Sequence, residues 1–200
     1  MSKPFVIGLT GSIGMGKSTT AQMFADEGIP VWSADDAVHE LYLPGHEGAE
    51  EIAKLSPESV GAEGVDRSEL SNWIAGNPER LKAIESAIHP LVAQNHRGQF
   101  LEDSKAEIAL VDIPLLFETG ANEWVDAVVV VSVDQAEQRR RVLEREGMTE
   151  EKLEMILAKQ MPDDEKRARA DFVIETTTLE TARSAVRDVI EKITARISDA

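Results

Sequence analysis

Short apolar runs alternate with helical patterns along most of the chain. Four of these runs, at residues 5–10, 108–113, 127–133 and 172–174, are nearly continuous in their hydrophobicity. Runs of this kind predict strands that are buried on both faces of a parallel sheet. A shorter strand is predicted at residues 29–32. Because helical patterns separate these runs, the sequence predicts an α/β fold built on a doubly wound parallel sheet.

Two stretches depart from this alternation. Residues 40–104 show helical patterns without a convincing strand, so we predict an inserted helical lobe there. Residues 137–169 carry nine basic and nine acidic residues, which makes them locally neutral in a chain of net charge −16. Bases concentrated in this way suggest a purpose beyond solubility. The prediction is a single domain over residues 1–200, whose core comprises residues 1–38, 105–138 and 170–200.

The composition is that of an ordinary globular chain, with 42% hydrophobic and 29% charged residues. Zero cysteines exclude disulfides, thiolate metal sites and thiol catalysis. The net charge of −16 opposes broad binding to nucleic acid or to an anionic membrane surface. No targeting or membrane-spanning segment is visible in the sequence. We therefore expect a cytoplasmic protein that binds neither nucleic acid nor membranes. No obligate protein partner is implied.

One short motif points to a specific ligand. The phosphate-binding pattern G-x-x-x-x-G-K-[ST] is matched by Gly11, Gly16, Lys17 and Ser18, between an apolar run and a helical pattern. Glycines let backbone N–H groups converge on an anion, Lys17 is suited to the β- and γ-phosphates, and the Ser18 hydroxyl is suited to Mg²⁺. A glycine-rich turn without a ligand is the alternative. The predicted ATP-binding residues are Gly11, Gly14, Met15, Gly16, Lys17, Ser18 and Thr19.

A small kinase is the favoured class of phosphate-loop protein. The chain contains neither the N-K-x-D nor the D-x-x-G motif of guanine-specific switches, and 200 residues leave little room for motor machinery. A kinase needs a second carboxylate on the metal side of the loop. Asp112 ends an apolar run and is the candidate for that role. A cap on the following turn is the equal alternative.

A kinase also needs a group that orients the acceptor hydroxyl and takes its proton. Asp35 follows the strand predicted at residues 29–32, and the carboxyl ends of parallel strands share one crevice. Its alternative role is a helix N-cap. Asp36 competes for either role, and His39 lies one turn beyond Asp35 on the same predicted helix face.

Four arginines lie on a predicted helix after the strand at residues 127–133. Arg141 and Arg145 are four residues apart and are predicted to share a face, whereas Arg140 is predicted to pair with Glu144. Two guanidinium groups on one face can grip a transferring phosphoryl group. The alternative for these arginines, including Arg139, is a solvated helix face.

Nearly the whole chain resembles the dephospho-coenzyme A kinase family. The P-L-L-F-E and H-P elements are more specific than the phosphate loop, because other phosphate-loop kinases do not carry them in this order. The shared elements in chain order are I-G-L-T-G-S-I-G-M-G-K-S-T at residues 7–19, Ala34-Asp35, Asp66-Arg67 with Leu70, His89-Pro90, P-L-L-F-E at residues 114–118, Gln138 with Arg141 and Arg145, Gln160, and A-D-F-V-I at residues 170–174.

The resemblance implies transfer of the γ-phosphoryl group of ATP to the ribose 3′-hydroxyl of dephospho-coenzyme A, with Mg²⁺, as the last step of coenzyme A biosynthesis. It implies that residues 40–104 form the lobe for the coenzyme A substrate and that residues 139–168 form a lid over ATP. By position, Asp35 and Arg141 join Lys17 as catalytic candidates, and Arg145 joins the ATP-binding residues on the lid side. The substrate-binding candidates are Asp35, His39 and His89, and the metal candidates are Ser18 and Asp112.

Two positions differ from the family pattern. Ser33 stands where the family usually has an aspartate, and Thr176–Thr178 stand where it tends to read N-x-G. No adenine-contacting residue is therefore predicted near Thr176. For His89, the alternative is that His-Pro fixes the end of a packed helix. For the whole chain, the alternatives are another small-molecule or nucleotide kinase and a non-catalytic ATP-binding regulatory module.

Overall fold

The computed structural model describes residues 3–199, without the side chains of residues 94–96. The chain divides into two compact units. The first unit comprises the residues up to Val31 together with those from Ser104 onward, and the second unit is Trp32–Asp103.

The strands are β1 (Phe5–Thr10), β2 (Val31–Ser33), β3 (Val60–Gly61), β4 (Gly64–Val65), β5 (Ile108–Asp112), β6 (Ala127–Ser132) and β7 (Phe172–Glu175). The α-helices are α1 (Lys17–Asp26), α2 (Ala34–Leu41), α3 (Glu47–Leu55), α4 (Arg67–Ile74), α5 (Pro78–Leu91), α6 (Gln99–Asp103), α7 (Gln135–Leu143), α8 (Glu150–Leu157), α9 (Asp163–Arg169) and α10 (Leu179–Ser198). Among the described residues, none of the helices combines the length and the apolarity that crossing a membrane requires.

The main sheet has the strand order β2-β5-β1-β6-β7, and its β1–β5, β1–β6 and β6–β7 ladders are parallel. The predicted α/β sheet architecture is therefore confirmed. β2 starts two residues later than predicted. Pro30 has no N–H to give to a ladder, and its carbonyl accepts a single hydrogen bond of 2.9 Å from the Leu110 N–H before the regular strand begins.

The continuous apolar runs are explained by cores on both faces of the sheet. In β6, Val129 and Val131 face a cluster with α1 and α10, while Val128 and Val130 face a second cluster that includes Leu116. Alternate residues of a strand point to opposite faces, so both sets are buried. Helix α10 contributes one apolar stripe to the first cluster: Ala182, Val186, Val189 and Ile193.

The second unit is helical around a separate core, whose buried members are Leu41, Ile52, Leu70, Ile84 and Ile88. It also contains a small antiparallel hairpin of β3 and β4, in which Val60 pairs with Val65. The prediction that residues 40–104 lack a strand is therefore wrong. Strands of two residues are too short to produce a hydrophobic period, so the sequence pattern gives no sign of them.

Candidate active site

The phosphate loop connects β1 to α1 through two glycines with left-handed backbone. Gly14 has φ +80° and Gly16 has φ +87°, a region that residues with a Cβ adopt only at a cost. Gly16 is the N-cap of α1, and its carbonyl accepts hydrogen bonds from both the N–H (3.0 Å) and the hydroxyl (3.1 Å) of Thr20. The first N–H groups and the positive dipole end of α1 therefore lie at the loop.

The lysine of the loop is paired with the carboxylate that ends the neighbouring strand. Lys17 Nζ lies 2.6 Å from Asp112 Oδ1, and the two side chains are 14% and 7% exposed. In the β1–β5 ladder, Leu9 pairs with Asp112, so this carboxylate sits at the level where β1 enters the loop. Asp112 therefore belongs to the phosphate-loop site.

The oxygen donors at this site suit Mg²⁺ better than a metal ion whose ligands all come from protein side chains. Among the described residues, no group of three or more His, Asp or Glu side chains could hold a metal ion. Mg²⁺ typically takes one or two protein oxygens and completes its shell with water and phosphate oxygens. The Asp112 carboxylate and the exposed Ser18 hydroxyl fit that pattern.

Arg141 is held against the end of β7. Its Nη2 donates to the Thr176 carbonyl at 2.7 Å, its Nη1 to the Thr176 hydroxyl at 3.1 Å, and its Nε to Glu137 Oε1 at 2.8 Å. The Thr176 hydroxyl in turn donates to the Met15 carbonyl of the phosphate loop at 2.8 Å. Hydrogen bonds from Arg140 and Arg141 lower the pKa of Glu137 to about 2. One threonine therefore connects Arg141 to the loop.

Sequence reasoning gave Thr176 no role. Its contacts to Arg141 and Met15 join positions 35 and 161 residues apart, and the triplet Thr176–Thr178 differs from the family's N-x-G. No local pattern reveals contacts over such separations.

The neighbouring arginines form surface ion pairs. Arg140 lies 2.6 Å from Glu137 and 2.6 Å from Glu144, so the predicted Arg140–Glu144 pair is confirmed. Arg139 pairs with two glutamates of α8, Glu150 and Glu154. For Arg139 and Arg140 the alternative prediction therefore applies, in which the arginines form ion pairs on a helix surface rather than a phosphate site.

Arg145 does not share a helix face with Arg141, contrary to the prediction. Helix α7 ends at Leu143 with Glu144 as its C-cap, and Arg145 is exposed in the turn that follows. Residues 144–147 read Glu-Arg-Glu-Gly and offer no apolar side chain whose burial would extend the helix.

In the second unit, Ser33 rather than Asp35 caps α2. The Ser33 Oγ accepts a hydrogen bond of 3.2 Å from the Asp36 N–H. Asp35 is the second residue of the helix and is exposed. The alternative that Asp35 is the N-cap is therefore wrong, and Ser33, which differs from the family's aspartate, has a structural task of its own.

The two histidine candidates also lie in the second unit. Nδ1 of His39 is 3.3 Å from Nη2 of Arg67, whose guanidinium carbon lies 5.8 Å from the centre of the Tyr42 ring. His89 is exposed in the last turn of α5. Pro90 follows it, and α5 gives way at Val92–Gly98 to a π-helical stretch.

The glutamate of the P-L-L-F-E element anchors the chain between α8 and α9. Glu118 Oε1 accepts a hydrogen bond of 2.7 Å from the Met161 N–H and lies 3.0 Å from Nζ of Lys166, which is fully buried. Burial alone would raise the pKa of Glu118, but the Met161 N–H and the Lys166 ammonium outweigh it and lower the pKa. Nothing in the sequence singles out Lys166, because its partner is 48 positions away.

The sheet order, the glycine-rich turn after β1 and the Lys17–Asp112 pair define a phosphate-loop kinase fold. Shikimate kinase from Acinetobacter baumannii shares this fold, with a TM-score of 0.54 at 17% identity over 96% of this chain and 94% of that one. The sequence profile of the dephospho-CoA kinase family matches residues 5–181, and the chain belongs to that family.

Individual relatives and solved structures are similar to this chain over nearly its whole length. The dephospho-CoA kinase of Cereibacter sphaeroides is 51% identical over 96% of each chain. A crystal structure of TT1252 from Thermus thermophilus has a TM-score of 0.85 at 33% identity, covering 96% of this chain and 98% of that one. The dephospho-CoA kinase from Campylobacter jejuni has a TM-score of 0.66 at 25% identity over the same shares.

Proposed function

We propose that this protein transfers the γ-phosphoryl group of ATP to the ribose 3′-hydroxyl of dephospho-CoA, yielding CoA and ADP as the last step of CoA biosynthesis. The observation that carries phosphoryl transfer is the 2.6 Å pair of Lys17 with Asp112 beside the phosphate loop. The acceptor comes from the family, whose profile matches residues 5–181.

The loop side supplies binding and charge. Backbone N–H groups of the loop and the Lys17 ammonium bind the β- and γ-phosphates, and Gly11, Met15 and Thr19 complete the ATP-binding segment. Ser18 and Asp112 would hold Mg²⁺, which neutralises phosphate charge when it is bound. Negative charge develops on the transferring group as the reaction proceeds. The Lys17 ammonium therefore interacts more strongly with the transition state than with the ground state, and this difference accelerates the reaction.

Asp35 is the proposed acceptor-side base. The acceptor oxygen forms a bond to the γ-phosphorus as the bond from phosphorus to the bridging oxygen of ADP breaks, and the hydroxyl proton passes to the Asp35 carboxylate. Two observations support this choice: Asp35 is exposed, and Ser33 takes the N-cap role that would otherwise occupy it.

Arg141 is the proposed lid-side cation. Its guanidinium is oriented by Thr176 and Glu137, and Thr176 also contacts the loop, so Arg141 is held on the ATP side of the first unit. A planar, oriented guanidinium can bind phosphate oxygens in two places at once. Residues 139–168 are the proposed lid, with the exposed Arg145 as a further ATP contact.

The second unit is the proposed substrate lobe. His39 and His89 are its candidate contacts to dephospho-CoA, an anion that imidazole N–H groups can bind. Support for His39 is its 3.3 Å contact with Arg67, which adds a cation at the same place.

The deciding experiment is an acceptor assay. Purified protein is incubated with Mg-ATP and dephospho-CoA, and the product is examined by mass spectrometry for the gain of one phosphoryl group at the 3′-position. Adenosine monophosphate, uridine and gluconate serve as competing acceptors. Transfer to one of these instead of dephospho-CoA, or tight ATP binding without any transfer, would contradict the proposal.

A further inference from the structure

Both backbone polar groups of Ile13, inside the phosphate loop, are held by glutamine side chains. The Ile13 N–H donates to Gln160 Oε1 at 3.1 Å. The Ile13 carbonyl accepts from Gln138 Nε2 at 2.8 Å. The backbone partners fix the orientation of each amide, because an N–H needs an acceptor and a carbonyl needs a donor.

Gln138 approaches the loop from α7. It is only 4% exposed, so the hydrogen bond to Ile13 is shielded from water. The same helix packs directly against the next loop residue, since a Cβ on Gly14 would lie 2.5 Å from Cγ2 of Val142. Loss of the Gln138 donor would leave the Ile13 carbonyl facing a buried side chain without a partner.

Gln160 approaches from the chain between α8 and α9, and that chain is itself anchored. The N–H of the next residue, Met161, donates to Glu118 at 2.7 Å, and Glu118 is paired with the buried Lys166. Two hydrogen bonds, joined by the peptide link between Gln160 and Met161, therefore connect Glu118 of the P-L-L-F-E element to the phosphate loop.

A phosphate loop works only if its backbone N–H groups point inward before the nucleotide arrives. A short, glycine-containing loop has wide conformational freedom, and fixing it upon binding costs entropy. Two side-chain amides are hydrogen-bonded to the peptide groups on either side of Ile13. These bonds restrict the conformations of the loop before the nucleotide binds.

We propose that Gln138 and Gln160 are positioning residues for phosphoryl transfer, which fix the phosphate loop in its nucleotide-binding conformation through the Ile13 peptide groups. Gln138 acts as a donor and Gln160 as an acceptor. The inference rests on the proposed kinase function for its turnover readout, and on ADP binding alone for its second readout.

Opposite hydrogen-bonding roles allow a matched test with one chemical change at two positions. Gln160→Glu keeps an oxygen acceptor for the Ile13 N–H, whereas Gln138→Glu places an acceptor against the Ile13 carbonyl. Both variants add one carboxylate beside the same residue, but Gln138 is only 4% exposed, so part of the larger loss expected there is the cost of burying charge. The neutral pair Gln138→Met and Gln160→Met measures the two hydrogen bonds without that cost.

We expect kcat/KM for ATP to fall at least about ten-fold further in Gln138→Glu than in Gln160→Glu, the scale of a buried carbonyl left unpaired. The KM for dephospho-CoA is expected to stay within about two-fold of the wild type in both, since a two-fold change is a small fraction of one hydrogen bond. Equal losses in the two variants, or a larger loss in Gln160→Glu, would overturn the proposal, as would parallel changes in both KM values.

Calorimetric binding of Mg-ADP gives a readout that needs no acceptor. The same order of affinities is expected, and reversal of that order counts against the positioning role even if turnover is absent. If Gln138→Glu does not fold, as judged by thermal unfolding, Gln138→Met and Gln160→Met replace the pair. Each methionine removes one hydrogen bond without adding charge, and both should weaken Mg-ADP binding; wild-type affinity in both would refute the inference. A wild type without kinase activity would contradict the proposed function separately.

Discussion

The candidate residues of the two units differ in how firmly they are held. In the first unit, Lys17, Arg141 and Gln138 are largely buried, and each is fixed by contacts of 3.1 Å or less. In the second unit, Asp35, His39 and His89 are exposed. The proposed nucleotide side is thus ordered by its own hydrogen bonds, whereas the proposed acceptor side presents exposed groups. Changes in the first unit should therefore alter ATP binding as well as turnover, and changes in the second should leave ATP binding nearly unchanged.

The largest expected effect is at the loop lysine. Lys17→Ala should lower kcat about 1000-fold, because it removes the cation that stabilises charge developing on the transferring phosphoryl group. Steady-state kinetics with dephospho-CoA measure the loss. Lys54→Ala is the matched control, since Lys54 is exposed and pairs with Glu51, three residues earlier in the chain. Near-normal turnover of Lys17→Ala would remove the loop from the mechanism.

Asp35→Asn tests the acceptor side. We expect kcat to fall about 100-fold while the KM for ATP stays nearly constant, because only the proton acceptor is lost. The control is Asp36→Asn, the same change at the next residue of the same exposed helix turn. Equal rates for both variants would leave Asp35 without a catalytic role and would weaken the contrast between the units.

Arg141→Lys tests whether orientation on the nucleotide side matters beyond charge. Lysine cannot reproduce the fork that reaches Thr176 and Glu137 together, so kcat/KM for ATP should fall about ten-fold. Arg183→Lys is the control, because Arg183 is exposed in α10 and lies 3.3 Å from the exposed Asp26. If both variants behave alike, the guanidinium of Arg141 has no special task.

The smallest expected effect is on stability. Glu118→Gln should lower the free energy of unfolding by about 1 kcal/mol at pH 7, after allowing for partial exposure of the carboxylate, because it removes the counter-charge that lies 3.0 Å from the buried Lys166 ammonium. The control is Glu175→Gln, which removes an exposed ion pair of 3.5 Å with Arg167. This variant should change the free energy of unfolding little.

The pH dependence of this effect has a defined sign. The pKa of Glu118 is lowered in the folded protein, so its contribution is present above its ordinary value of 4.5 and is lost as the pH falls through the folded pKa. The stability difference between wild type and Glu118→Gln should therefore be constant from pH 6 to 8 and shrink in acid. Denaturant unfolding at several pH values measures it, and a difference that grows in acid would contradict the assignment.

The features that the sequence predicted are those formed by residues close together in the chain. The five strands of the main sheet follow from apolar runs, and the phosphate loop follows from four residues in eight. The family follows from elements such as P-L-L-F-E, although their physical task is visible only in three dimensions.

The missed features depend on contacts between distant positions or on competition between neighbours. Gln138 and Gln160 are hydrogen-bonded to Ile13 although they lie 125 and 147 positions from it in the sequence. A periodic sequence pattern cannot predict contacts between positions so far apart. Ser33 displaced Asp35 from the helix cap because both are good capping residues and α2 begins at Ala34, two residues before a cap at Asp35 would start it. Arg145 left the predicted helix because the residues after Leu143 have no apolar face to bury.

The valine-rich strand β6 also has consequences for folding. The segment Ala127–Val133 reads AVVVVSV and contains neither charge nor proline, a composition that promotes association between unfolded chains. In the native sheet its two edges are covered by β1 and β7. Asp126 and Asp134 flank the segment, the first accepting a 2.7 Å hydrogen bond from the Val6 N–H and the second capping α7. The same two carboxylates that position native elements therefore act as charged gatekeepers against aggregation while the chain is still unfolded.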